Sequence, residues 1–239
     1  MRGDGDGWAR GPSGDKRWGR FGAAGLLLRA PARHGPAVLL QHRAFWSHHG
    51  GTWGLPGGAR DSHESTAEAA LREAAEEAGV RIGDVALRAE RVTSRVPHGW
   101  SYTTVVADAH HQLRTQRNGE SAELRWVAED EVAALPLHPG FATSWPALRS
   151  RPACLYLDRS LNDADAHALS AATFPRTIEL PDGGFAWVRR PEAHAAPDTL
   201  PPEQCIVVTA DAEARRGRHP RQVHVLHPSA LSPRLGAGA

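Results

Sequence analysis

The sequence predicts an α/β (α+β) fold, and three observations carry that reading. Two apolar runs of strand length, Phe21–Arg29 and Ala37–Gln41, open the ordered part of the chain. Ser65–Ala78 then switches to a spacing of three and four between apolar residues, which is helical. Two more strand-like runs, Val85–Val96 and Trp100–Asp108, flank the turn Pro97-His98-Gly99. At 239 residues the chain exceeds one typical domain of about 150. Its 41% hydrophobic and 23% charged residues are a globular composition.

Residues 1–20 are Gly-rich and charged, with Trp8 and Trp18 as their bulky apolar groups, and read as a flexible leader. Phe21–Arg29, a turn at Pro31–Pro36 and Ala37–Gln41 predict a hairpin. Phe45–Gly58 is a loop dense in Trp, His and Gly. In the helix, Ala67, Ala70, Leu71, Ala74 and Ala78 form the apolar stripe, and Gly79 stands where helices close with a left-handed residue. After the second strand pair come the polar loop Arg114–Gly119, a strand at Ala122–Val127, and short helices at Glu129–Ala134 and Phe141–Leu148. Arg149-Ser150-Arg151-Pro152 is the expected boundary, giving a domain over 21–150 and an appendage over 151–239. In the appendage, Cys154–Leu157 and Cys205–Thr209 read as strands, and Thr177–Leu180 with Phe185–Val188 as a hairpin.

Several function classes drop out early. With 28 basic against 27 acidic residues the net charge is +1, which gives no electrostatic case for stable nucleic-acid binding. All but one of the basic residues are arginine, a skew that a GC-rich coding bias explains. Cys154 and Cys205 have no CxxC spacing, so a disulfide scaffold and a thiolate zinc site are excluded. Phe21–Leu28 follows Arg17 and Arg20 as a signal peptide would, but Asp4, Asp6 and Asp15 sit in the basic region. No apolar run spans a membrane. The expectation is a cytoplasmic protein acting on a small molecule, with the oligomeric state left open.

Across the helix from the apolar stripe, Glu73, Glu76 and Glu77 stand at i, i+3 and i+4, neighbours within one turn. Like charges so placed destabilise an isolated helix by about 0.2–0.5 kcal/mol per pair. They also lie toward the helix C-terminus, where the macrodipole disfavours anions. A solvated acidic face with Arg72 as partner would simply bear this cost. A hard divalent cation such as Mg²⁺ or Mn²⁺ would reverse it. The Gly-rich turn ahead of the helix favours the cation, since bare backbone can approach a metal and its phosphate ligand.

Read from Gly58, the chain runs through Glu64, Arg72-Glu73-Ala74, Glu76-Glu77 and Gly79-Val80 at fixed intervals. This resembles the complete signature box of the Nudix hydrolase superfamily, with Ala74 small where an aliphatic residue is usual. The resemblance covers residues 21–150 and implies an α/β/α sandwich with a mixed sheet. It implies hydrolysis of a nucleoside diphosphate linked to another group, by water attacking a pyrophosphate phosphorus. By position, Glu73, Glu76, Glu77 and the Gly57 carbonyl would hold Mg²⁺ (or Mn²⁺), with Arg72 fixing the glutamates and Glu64 bracing the loop–helix junction. Glu120 resembles the carboxylate that completes this site from outside the box, with Glu123 in reserve. Glu73 or Glu120 would serve as general base.

Gln41-His42-Arg43 and Gly51–Gly58 most resemble the MutT-like nucleoside triphosphate pyrophosphohydrolases of nucleotide-pool sanitation, which release a monophosphate and pyrophosphate. Trp53, Gly57, Gly58 and His138 are the candidate substrate-binding residues. MutT reads oxidised guanine with an Asn in the segment matching Leu135–Phe141, where His138 is the only polar side chain here. Alternatives are an ADP-ribose or dinucleoside polyphosphate pyrophosphatase, a capped-RNA hydrolase, and a non-catalytic nucleotide-sensing module. Modules of the last kind typically lose box acids, and none is missing.

His48 and His49, beside Trp46 and Trp53, could stack on a base, meet phosphate, or merely cap the loop. A zinc site is disfavoured, because His48-His49 and His110-His111 lack i, i+4 spacing. Cys205–Asp211 faintly resembles a parallel strand of PIN- or NYN-like nucleases, but a lone Asp211 supports packing or substrate covering better than catalysis.

Overall fold

The computed structural model describes residues 3–12, 14, 16–97, 99–157, 161, 175–189, 191–192, 204–209 and 223–231. It divides into two units, Met1–Pro146 and Ala147–Ala239.

The first unit begins with structure where a loose leader was expected. β1 (Trp8–Arg10) and β2 (Lys16–Trp18) form an antiparallel pair. The preceding turn is tied down, because the Gly5 amide donates to Asp61 Oδ1 at 2.7 Å and Asp4 accepts from the Ser62 amide and hydroxyl at 2.9 and 2.5 Å. Trp100 Nε1 donates to the Trp18 and Gly19 carbonyls. Composition suggested mobility; specific hydrogen bonds override it.

β3 (Ala23–Ala32) and β4 (Gly35–Arg43) make the expected hairpin, with both prolines inside the strands, paired Pro31 to Pro36. β5 (Trp53–Gly54) pairs with β4 and β6 (Gly57–Ala59) with β3. After α1 (Thr66–Ala78) come β7 (Ala86–Arg95), β8 (Ser101–Asp108) and β9 (Ser121–Ala128). β8 lies parallel to β3 and antiparallel to β7, and β9 runs antiparallel to β4. The mixed sheet therefore runs β5-β4-β3-β8-β7, with β6 and β9 on its flanks. Glu129–Ala134 reduces to a 3-10 turn at Val132–Ala134, while α2 (Pro139–Leu148) forms as expected.

β3 is buried on both faces, as a sheet sandwiched between layers requires. Ala24, Leu26, Leu28 and Ala30 share one face with Leu39 and Val105, packed with Ala69, Ala70, Leu71, Ala74 and Ala78 of α1. Leu27, Val38, Leu40 and Val106, on the opposite alternation, are buried as well. Ala69, absent from the sequence stripe, is buried, whereas Ala67 is half-buried. The small alanines let the helix approach the sheet closely, which fixes the position of its acidic face.

In the second unit, β10 (Ser150–Leu157), β11 (Arg176–Glu179), β12 (Phe185–Val188), β13 (Pro191–Glu192), β14 (Gln204–Val208) and β15 (Val223–Leu226) form another sheet. Ser150, Arg151 and Pro152, expected in the boundary, lie inside β10. β11 and β12 are the expected hairpin, and β10, β14 and β15 are parallel neighbours. Leu155, Ile178, Val188, Ile206, Val208 and Leu226 belong to its core. Asp211 lies outside the described residues.

Candidate active site

Helix α1 is set by its ends. Ser65 caps it reciprocally with Glu68, and Gly79 closes it at φ 70°, with the Gly79 amide donating to Ala75 O at 3.0 Å. These caps fix the helix register, and with it the direction of Arg72, Glu73, Glu76 and Glu77.

Arg72 is the organising cation. Nε and Nη2 grip Glu64 at 2.7 and 3.0 Å, Nη1 donates to Glu73 at 2.9 Å, and Nη2 also reaches the Ala59 carbonyl at 2.9 Å. A bidentate guanidinium–carboxylate pair is directional as well as attractive, so Glu64 locks Arg72 and Arg72 locks Glu73. Hydrogen bonding from Arg72 holds the Glu64 carboxyl below its ordinary range, and the same bond raises the Arg72 guanidinium. A Cβ at Gly58 would lie 2.5 Å from the Glu73 carboxylate, so a larger residue there would displace that side chain from its present position.

Glu77 is the deepest of the glutamates, at 4% exposure. It accepts from the Gly57 amide at 2.8 Å and from the Gln41 side chain. Burial, opposed by that amide and aided by the charges of Glu73 and Glu120, lifts it to about 8. Burial lifts Glu73 to about 7, against the pull of Arg72 and with the push of Glu76 and Glu120. Glu120, at the entry to β9, is exposed yet near enough to raise both. Glu123 instead sits on the surface, 3.3 Å from Arg125. Glu76 is 61% exposed and leans 3.8 Å from Arg72, and no three of these carboxylates bring oxygens within 4.8 Å of one another. Burial first, and the neighbouring carboxylates second, favour the protonated form of both acids near neutral pH. An all-oxygen donor set of carboxylates fits a hard divalent cation.

Two neighbours were not among the expected site residues. Gln41, 1% exposed, donates to Ser121 Oγ at 2.8 Å and so joins β4, β9 and Glu77. Its signals were a polar amide closing an apolar strand run and its place in the Gln41-His42-Arg43 stretch of the resemblance. The Tyr102 hydroxyl packs against Gly25, and burial together with the Glu77 and Glu73 charges raises its pKa. Nothing in the sequence marked it.

The candidate substrate residues divide. Gly57 and Gly58 sit against Glu77 and Glu73 as described. Trp53 is 4% exposed, stacked on His42 at 4.7 Å with the Arg125 guanidinium 4.3 Å from its ring centre. Its ring is packed between these two side chains. The exposed rings of this loop are Phe45 and Trp46, at 79% and 74%. Burial, Arg43 and the neighbouring histidines bring His138 down to about 4. The structure also gathers His48, His49 and His138, a grouping the spacing of neighbouring histidines did not reveal.

A family model described as NUDIX domain matches residues 19–148. The chain belongs to the Nudix family. It is a Nudix pyrophosphohydrolase with a nucleotide substrate, from a family that generally uses divalent metal cations. A Mycobacterium tuberculosis (strain H37Rv) protein named "Putative 8-oxo-dGTP diphosphatase 3" is 57% identical over 205 residues, covering 84% of this chain and 91% of that protein. A Bifidobacterium longum "Nucleoside triphosphate pyrophosphatase/Nudix hydrolase fusion protein" is 44% identical over 158 residues, 62% of this chain and 31% of that protein. Among solved structures, a Nudix hydrolase from M. smegmatis, RenU, is 59% identical with a TM-score of 0.57, covering 59% of this chain and 91% of that one. No helix among the described residues of this Nudix protein is long and apolar enough to cross a membrane.

Proposed function

We propose that this protein hydrolyses nucleoside triphosphates to a nucleoside monophosphate and pyrophosphate in a Mg²⁺-dependent reaction, as a MutT-like enzyme of nucleotide-pool sanitation. The observation that carries the reading is the pairing of a buried Glu77 with the Gly57 amide, beside a Glu73 locked by Arg72 and Glu64. Glu73, Glu76, Glu77, Glu120 and the Gly57 carbonyl are the residues we assign to the cation. When bound, Mg²⁺ supplies neutralisation of the phosphate charge and a more acidic water.

The chain's own groups divide the remaining work. Arg72 holds Glu73 in one orientation, and Gln41 and the Gly57 amide do the same for Glu77. Water adds to phosphorus as the bridging P–O bond breaks, and its proton passes to a carboxylate. Glu73, at about 7, has a proton affinity suited to that role near neutral pH, with Glu120 the other choice. We assign catalysis to 21–150 and place 151–239 outside the reaction.

The mycobacterial relative's name makes 8-oxo-dGTP the first substrate to test. The absence of an Asn across Leu135–Phe141 favours a second reading, in which oxidised guanine is not the preferred base. Incubation of full-length protein with Mg²⁺ and 8-oxo-dGTP, the canonical dNTPs, ADP-ribose or dinucleoside polyphosphates separates these. Monophosphate and pyrophosphate from the triphosphates is the expected outcome; binding without turnover of any substrate would sink the proposal.

A further inference from the structure

The loop that leads into β5 carries two imidazoles, and the segment before α2 brings a third to them. The rings of His48 and His49 meet edge to face at 4.1 Å, and those of His49 and His138 at 4.8 Å. One potential ligand atom from each lies within 4.8 Å of the other two. Adjacent residues on extended backbone send their side chains to opposite sides. His48 and His49 stand in a turn instead, and His49 has φ 55°, the one positive φ at a non-glycine among the described residues.

That uncommon conformation is held in place. Thr52 Oγ1 donates to the His49 carbonyl at 2.7 Å and Arg43 Nε to the His48 carbonyl at 3.1 Å. The third ring is fixed to the same loop by backbone bonds, the Trp53 amide donating to Pro136 O and the His138 amide to Trp53 O, each at 2.8 Å.

We propose that His48, His49 and His138 form a second metal site, for a borderline transition-metal dication of which Zn²⁺ is the natural choice. The donors are nitrogens with no carboxylate among them, a set that suits Zn²⁺ and not Mg²⁺. No described residue hydrogen-bonds the ring nitrogens of His48 or His49. His138 Nδ1 accepts a long bond of 3.2 Å from the Gly140 amide; the metal takes this lone pair and leaves the amide to water. His48 and His49 are exposed, so the fourth position is open to water. Arg43 faces the cluster and would favour an anion instead. Its Nε is already committed to His48 O, however, and each neutral imidazole offers an anion only one N–H. The ion ties the 45–52 loop to residues 136–138, which flank Trp53, and takes no part in hydrolysis.

Zn²⁺ titrated calorimetrically into metal-free, full-length protein in excess Mg²⁺ should bind at one equivalent. Co²⁺ in its place should give the intense visible d–d bands of a four-coordinate site. His49→Asn, which retains a left-handed preference, and His138→Gln should each weaken Zn²⁺ at least about 10-fold. His34→Gln should leave it unchanged, and melting of the metal-free variants checks that they fold. A weak, octahedral Co²⁺ spectrum with the unsubstituted protein overturns the site, as does Zn²⁺ affinity retained in both variants. Stabilisation by inorganic phosphate without Zn²⁺ binding assigns the cluster to anions and overturns it too.

Discussion

The acidic face of α1 and the histidine loop before β5 solve opposite problems with the same chain. On α1, like charges are crowded, partly buried and held apart by hydrogen bonds from Arg72, Gly57 and Gln41. In the loop, imidazole rings are crowded, two of them exposed and one half-buried, with backbone geometry at His49 holding them together. One surface stores electrostatic repulsion and the other stores backbone strain. The first asks for a hard cation and oxygen chemistry. Polar chemistry alone does not define the second, which depends on where the chain folds back on itself.

Removing the deepest charge should have the largest effect. Glu77→Gln is expected to lower turnover by at least about 100-fold, measured as pyrophosphate release under saturating Mg²⁺. Near-normal turnover would mean that the acidic face is ordinary surface. Arg72→Lys comes next. A lysine cannot reproduce the fork that reaches Glu64, Glu73 and Ala59 at once, so kcat should fall about 10-fold, in the range for lost outer-shell support of a metal site. A variant with unchanged kcat would show that Glu73 needs no such lock.

The stored repulsion also has a pH signature. Folding raises Glu73 from 4.5 to about 7 and Glu77 from 4.5 to about 8. Between those values the folded chain keeps protons that the unfolded chain has released, so stability is greatest below about pH 4.5 for these groups and declines toward pH 8. Thermal melts of metal-free protein should show that decline, less of it in Glu77→Gln, and a flatter profile with Mg²⁺. A profile that Mg²⁺ leaves untouched would separate the glutamates from any cation. The smallest effect belongs to the loop. Trp46→Ala, at an exposed ring, should leave stability within about 0.5 kcal/mol while raising KM for a nucleotide a few-fold. An unchanged KM would take Trp46 out of the binding surface.

The same contrast explains what could be read in advance. The hairpin β3–β4, helix α1 and the pair β7–β8 are local, and their periodicities and turn residues announce them. So are Arg72, Glu73, Glu76 and Glu77, whose relation is fixed by one helical turn. The leader misled, because its order comes from Asp61, Ser62 and Trp100, residues distant in the chain. Trp53 shows a different limit. Its place in the Gly-rich loop made it a substrate-binding candidate, and only the fold shows His42 of β4 and Arg125 of β9 packed on its ring.

The sequence by itself determined the family, the alternation of strands and helix, and the acidic register of α1, because each depends on spacings of a few residues. Tertiary structure decided how deeply each glutamate is buried, and so which ones hold protons at neutral pH. It placed Gln41 and Tyr102 beside them. It also brought His138 to His48 and His49 across some ninety residues of chain. Burial and long-range contact are properties of packing, and no local pattern encodes them.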